Sequence, residues 1–311
     1  MPVSLDNLLV VGISSRALFD LEAEEAIFRT QGLEEYRRHQ LANENQILKP
    51  GAGFALVKAL LKLNHLTPGR RFVEVVIMSR NSTETSLRIF NSIKHYELDI
   101  TRAVLSGGAF LAPYLQAFNV SLFLSLHEDD VQAAINSGTA AALLYQKPGD
   151  TACVKEELDQ IRIAFDGDAV IFSDESERIF QSEGIEAFAD HERVNAMKPL
   201  PEGPFARLLR ALSFIQNNFK NADGRAAPIR TALVTARSSP AHERVIRTLR
   251  AWNVAIDETF FMGGVVKSDV LAAFRPHMFF DDQPGHCDRA ASRVQTGRVP
   301  VKQIGEGDES N

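Results

Sequence analysis

Two cysteines, Cys153 and Cys287, are all that 311 residues contain, with a single tryptophan. Two thiols make no disulfide framework and lack the spacing of a thiolate metal site, so both are expected to be reduced thiols of a cytosolic protein. No apolar run approaches the ~20 residues of a membrane span. The opening Met-Pro-Val-Ser-Leu-Asp-Asn has no basic stretch leading into an apolar core, so no signal peptide is visible and a cytoplasmic location is expected. Excess positive charge is missing as well. The formal net charge is −6, which argues against a nucleic-acid partner while leaving room for a small anion held by a few focused groups. What remains is an ordinary soluble composition, 45% hydrophobic and 24% charged, long enough for two domains. The tail Gly305-Glu-Gly-Asp-Glu-Ser-Asn311 is polar and acidic and is expected to fray.

The chain resembles itself. Ser106-Gly-Gly-Ala-Phe-Leu-Ala-Pro-Tyr-Leu-Gln-Ala-Phe118 aligns with Met262-Gly-Gly-Val-Val-Lys-Ser-Asp-Val-Leu-Ala-Ala-Phe274. The segments starting at Ala26 and Arg178, the pairs Lys49-Pro50 and Lys198-Pro199, and Val76–Arg80 with Leu233–Arg237 correspond in the same order. Ordered matches of this kind point to a duplicated domain, with copies at 1–155 and 156–311. Each copy opens on a short apolar run (Leu8–Ile13; Ile161–Phe165), continues through an acidic helix start, and reaches a second run (Val73–Met78; Thr231–Val234). A helix, a Gly-Gly turn, another helix and a third run (Leu122–Leu124; Met278–Phe280) follow. Strands alternating with helices predict an α/β fold of two tandem Rossmann-like domains with parallel sheets, whose ligands sit beyond the carboxyl ends of the strands.

Chemistry should therefore follow the strands, and in the second copy it does. Asp166-Gly-Asp168 comes after the first run, Thr235-Ala-Arg237 after the second, Lys267 in the Gly-led turn region, and Asp281-Asp282 after the third. Any one of these is an ordinary turn, cap or surface residue; their joint placement is what points to function. Carboxylates are hard ligands for Mg²⁺. One of them can attack phosphorus if a metal and a lysine offset the repulsion between anions. A second carboxylate two residues on can move the proton. The first copy lacks this set: Ser14-Ser15-Arg16 stands for Asp166-Gly-Asp168, Met78 for Thr235, Leu111 for Lys267, and Ser125-Leu126 for the acidic pair. It reads as a degenerate copy, with one active site per chain in the second.

These residues resemble the haloacid dehalogenase superfamily in its Asp-x-Asp, Thr, Lys and acidic motifs. Phe165–Glu177, Val234–Ser238, Arg275–Gln283, Ser14–Phe19 and Lys198–Pro204 are similar, more narrowly, to the cytosolic 5′-nucleotidase I family, from about residue 8 to about 290. The resemblance implies Mg²⁺-dependent hydrolysis of nucleoside 5′-monophosphates, with AMP the usual preference. It implies Asp166 as nucleophile, Asp168 as general acid/base, Thr235 and Lys267 on the phosphoryl oxygens, and a metal held by Asp166, the Asp168 carbonyl and Asp281, with Asp282 the alternative or water-bridged ligand. Since the family includes members activated by ADP, a nucleotide effector is a further expected partner. A small cap is expected within about 173–230, and Arg237, Arg16 and Asn81 are candidate substrate contacts. Phe260-Phe261, Phe279-Phe280 and Trp252 are expected in cores, and His277 and His286 away from the metal. A homo-oligomer is left open. The alternatives are a phosphatase of the same superfamily acting on another small phosphomonoester, and a non-catalytic nucleotide-binding regulator.

Overall fold

The computed structural model describes residues 5–146, 160–220 and 227–303. Cys153 and the acidic tail lie outside the described residues. The chain divides into two compact units, Met1–Glu157 and Leu158–Asn311.

In the first unit, strand β1 (Leu9–Ile13) leads into α1 (Ser15–Leu18), α2 (Glu22–Gln31), α3 (Leu33–Ala42) and α4 (Phe54–Lys62) before β2 (Val73–Ser79). Helix α5 (Leu87–His95), β3 (Arg102–Leu105), α6 (Ala112–Ala117), β4 (Leu122–Ser125), α7 (Glu128–Asn136) and β5 (Ala141–Leu144) complete it. The strands lie in the order β3-β2-β1-β4-β5 and every pair is parallel.

In the second unit, β6 (Ile161–Phe165) is followed by α8 (Glu175–Val194), α9 (Ala206–Lys220), β7 (Ile229–Thr235) and α10 (His242–Ala251). Then come β8 (Glu258–Phe261), α11 (Ser268–Phe274), β9 (Met278–Asp281), α12 (Pro284–Ala291) and β10 (Thr296–Arg298). The order is β8-β7-β6-β9-β10, again all parallel. Each unit thus contains five strands where the apolar runs predicted three. The short edge strands β3 and β8 are only partly buried, so they carry charged residues and do not stand out as apolar runs.

Both faces of the second sheet are covered, and the inner stretches of its central strands, Ile163–Phe165, Ala232–Val234 and Met278–Phe280, are accordingly apolar. On one face Ala164, Ala232, Val234 and Phe279 pack against Leu271, Phe274, Ala290 and Val294, with Phe260 partly buried beside them. On the other, Phe165 stacks on Phe280 with centroids 5.7 Å apart, and Phe205 closes on Phe280 at 5.0 Å. Phe279 and Phe280 are therefore core residues, whereas Phe261 is half-buried against His242. Trp252, expected in the core, is half-buried at the end of α10, against Phe172 and under Arg210. Helix α8 is interrupted at Gly184, whose φ of +88° matches the +87° of Gly32 between α2 and α3; this left-handed region is one glycine enters without strain.

Candidate active site

The carboxyl ends of β6, β7 and β9 and the start of α11 bring the proposed groups together. Asp166 follows β6 directly. Its N–H donates to the Phe280 carbonyl at 2.8 Å, continuing the sheet ladder by one bond, and its Oδ1 accepts the Gly167 N–H at 2.7 Å. The chain then makes a widened turn over Gly167–Ile171, with Ala169 left-handed at φ +58°. That turn is pinned from outside by Gly203 N–H on the Ile171 carbonyl and Phe205 N–H on that of Val170, both at 2.9 Å. Gly203 must be glycine, because a Cβ there would lie 2.2 Å from the Phe172 carbonyl oxygen.

Lys267 caps α11 and is 6% exposed. Its Nζ stands 2.8 Å from Asp166 Oδ2 and 2.8 Å from Asp281 Oδ2. Asp281, at the end of β9, is fully buried, and its Oδ1 accepts the Gln283 N–H at 2.9 Å. Thr235 ends β7, its Oγ1 accepting the Arg237 N–H at 3.2 Å. The same hydroxyl crowds Gly167, where a Cβ would meet it at 3.2 Å. Cys287 of α12 donates its thiol to the Asp281 carbonyl at 3.4 Å. Burial, then Asp281 and Asp282, push this thiol up in pKa.

The electrostatics of the cluster are those of too many carboxyls for one cation. Burial raises the Asp166 pKa; Lys267 pulls it back and Asp281 pushes it up again, leaving it at about 7. Asp282, half-buried, is pushed up to about 8 by burial and then by Asp166 and Asp281. Asp281 moves the other way: burial raises it, but His286 and Lys267 outweigh burial and it is held low. Burial alone would lower the Lys267 pKa, and the two carboxylates it touches more than reverse that. Ligand atoms of Asp166, Asp281 and His286 lie within 4.8 Å of one another. His286, expected away from the metal, stands beside these carboxylates, its Nδ1 3.4 Å from Asp281 Oδ2. Surplus buried carboxylate next to a single ammonium fits a divalent cation, and Asp166 and Asp281 supply hard oxygen for it.

Asp168 has a different partner. Arg237 Nε donates to its Oδ2 at 2.8 Å and Arg237 Nη2 to its Oδ1 at 2.6 Å, a two-pronged grip. Nη1 of the same guanidinium donates to Glu192 of α8, and the guanidinium lies over the Phe188 ring. Arg237 is 3% exposed. Expected as a substrate contact, it has its three nitrogens engaged by two carboxylates. Glu192 also accepts from Ser176 Oγ at 2.8 Å and Arg244 Nη1 at 2.9 Å. Nothing local in the sequence marks Glu192, Ser176 or Arg244 as part of the site; they meet it only through the fold.

In the first unit the corresponding strand ends hold a different set. Ser15 Oγ and Ser79 Oγ share a hydrogen bond at 3.0 Å, and Leu111 is buried. Arg16 is paired with Glu22 at 2.8 Å and Glu25 at 3.2 Å. Asn81 donates its N–H to Ser79 Oγ at 3.2 Å.

A sequence model of a family described as 5′-nucleotidase matches residues 1–306 of the chain. The chain is 39% identical over 296 residues to human cytosolic 5′-nucleotidase 1B, a match covering 93% of this chain and 48% of that protein. The chain therefore spans about half the length of this curated relative.

Proposed function

The chain belongs to the 5′-nucleotidase family, and from that premise we propose that it hydrolyses nucleoside 5′-monophosphates to nucleoside and phosphate, with Asp166 as nucleophile. The observation that carries this reading is the meeting of Asp166, Lys267 and Asp281 within single hydrogen-bond lengths. Asp166 attacks phosphorus as the P–O5′ bond breaks, and Asp168 delivers a proton to the departing O5′, giving the nucleoside and an aspartyl-phosphate. Asp168 then takes a proton from water while the water oxygen attacks phosphorus, releasing phosphate and the Asp166 carboxylate. Lys267 leaves its carboxylate contacts for the phosphoryl oxygens, with Thr235 Oγ1 as a further donor. Asp166, Asp281 and the Asp168 carbonyl, with Asp282 as the alternative or water-bridged ligand, would hold Mg²⁺, which when bound would supply charge neutralisation on the phosphoryl oxygens.

AMP preference, an ADP-like effector and a cytoplasmic setting follow from the family resemblance and the relative's description as cytosolic. A duplication with copies at about 1–155 and 156–311 is supported by the repeated motifs and by the identical strand order of the two units. The first copy would then serve recognition or regulation. The segment 173–230, which contains α8 and α9, supplies the cap. Phosphate release from a panel of nucleoside monophosphates and sugar phosphates, with and without Mg²⁺, tests the reading. Release confined to sugar phosphates, or none at all, overturns it.

A further inference from the structure

The grip of Arg237 on Asp168 is itself gripped. Glu192 is 1% exposed, and burial alone would make its charge costly. Three donors compensate: Arg237 Nη1, Arg244 Nη1 and Ser176 Oγ. Arg244 is fixed in turn, its Nε donating to the Lys198 carbonyl at 3.0 Å. A chain of charged hydrogen bonds thus runs from α10 through α8 to the carboxylate that must move the proton. Such a chain could serve packing alone.

The first unit shows what packing alone requires. Arg88 of α5 stands as Arg244 does: its Nε donates to the Gln46 carbonyl at 2.9 Å, and its Nη1 to a buried glutamate, Glu24, at 2.5 Å. The neighbouring threads also agree. Leu48 N–H donates to Ser92 Oγ at 3.0 Å, as Leu200 N–H does to Thr248 Oγ1 at 2.9 Å. The buried acid–arginine pair is therefore common to both units. The arm towards the strand end is not. Eight residues beyond Gly32, where Glu192 lies eight beyond Gly184, stands Gln40, whose Nε2 donates to Tyr36 Oη at 3.0 Å. Arg80, in the place of Arg237, turns to Asp130 at 2.9 Å. The link from buried acid to strand-end arginine occurs in the unit that has Asp168 to hold, and not in the one with Arg16 in that place.

We propose that Glu192 is a positioning residue that acts through Arg237 to aim the Asp168 carboxyl at the departing O5′, a role that rests on the reaction proposed above. Aim matters most where the leaving oxygen needs a proton. Two substrates separate this from a structural role: a nucleoside monophosphate, whose alkoxide leaves only with a proton, and p-nitrophenyl phosphate, whose phenolate leaves without one. The quantity compared is kcat/KM, which covers only the steps through departure of the leaving group. Glu192→Gln is expected to lower kcat/KM about tenfold or more on the nucleotide and to leave it nearly unchanged on the aryl ester. Asp168→Asn should give the same pattern more strongly. Ser176→Ala removes one hydrogen bond to Glu192 without touching charge. It should shift the ratio in the same direction by a smaller factor, and it decides the matter if Glu192→Gln does not fold. Equal losses on both substrates, or no loss on either, overturn the inference alone. No phosphate release by the unsubstituted protein overturns the reaction and the inference with it.

Discussion

Lys267 Nζ lies 2.8 Å from Asp166 Oδ2, so the group proposed to attack phosphorus is paired with a group proposed to bind it. Among the described residues, Lys267 is the ammonium that these buried carboxylates share. It holds the proposed nucleophile in place at the cost of masking it. In the reaction proposed, Lys267 would turn from Asp166 to the phosphate, and a cation held by Asp166 and Asp281 would stand in for it there.

Asp166→Asn should therefore cost activity and not the fold. Phosphate release is expected to fall by at least about 10³-fold. The midpoint of thermal unfolding without metal should hold or rise, since a buried carboxylate that burial disfavours has been removed. Steady-state assays and a melting curve check both; residual activity near normal would remove Asp166 from the mechanism.

Lys267→Met should do the opposite to stability. It leaves Asp166 and Asp281 buried without their shared partner, a change that costs about 3–5 kcal/mol where a buried pair is broken. Unfolding should come at lower temperature, and Mg²⁺ should recover part of the loss because it meets the same carboxylates. Differential scanning calorimetry with and without Mg²⁺ reads this directly.

Metal binding should stabilise the protein more as pH rises. In the folded, metal-free chain Asp166 titrates at about 7 and Asp282 at about 8, both above the ~3.9 of a free aspartate. Between these limits the folded chain holds more protons than the unfolded one, so metal-free stability falls as pH increases towards 8. The cation binds the deprotonated groups. Its stabilising shift in melting temperature should be small near pH 5.5 and largest near pH 8. A shift independent of pH would separate these carboxyls from the metal, and activity should vanish on chelation and return with Mg²⁺.

Gly167→Ala tests the crowding at the nucleophile turn. The added methyl would meet Thr235 Oγ1 at 3.2 Å. Displacing that hydroxyl, or Asp166 beside it, should lower kcat by about tenfold or more, since small misplacements are costly at the reacting centre. Gly285 in α12 is the control: nothing lies within 4 Å of a Cβ there. Gly285→Ala should leave kcat alone and add about 0.5–1 kcal/mol of stability.

The groups proposed for catalysis were legible because Asp166, Thr235 and Asp281 end or follow strands with apolar cores and Lys267 lies in the turn region led by Gly263-Gly264, and the sheet order converts those sequence positions into convergence. Asp166, Lys267 and Asp281 needed no more than this. Arg237 follows β7 as expected, and its guanidinium bonds Asp168 and Glu192: position after β7 is a local fact, but those bonds depend on α8 coming back to the site. Glu192 is 24 residues from Asp168 in the sequence, on a helix whose interruption at Gly184 could not be read from its composition. The edge strands β3 and β8 stayed hidden for a related reason. Glu258 and Arg102 serve ion pairs with Arg230 and Glu74 on the neighbouring strands, so their segments look polar although they complete the sheets.

The thiol of Cys287 is buried, donates to the Asp281 carbonyl, and is held in its neutral form. A maleimide or iodoacetamide cannot reach it while β9 and α12 remain docked. Its alkylation would therefore keep time for the opening of this corner of the protein: a slow clock without ligand, and a slower one with Mg²⁺ if Asp281 holds it as proposed.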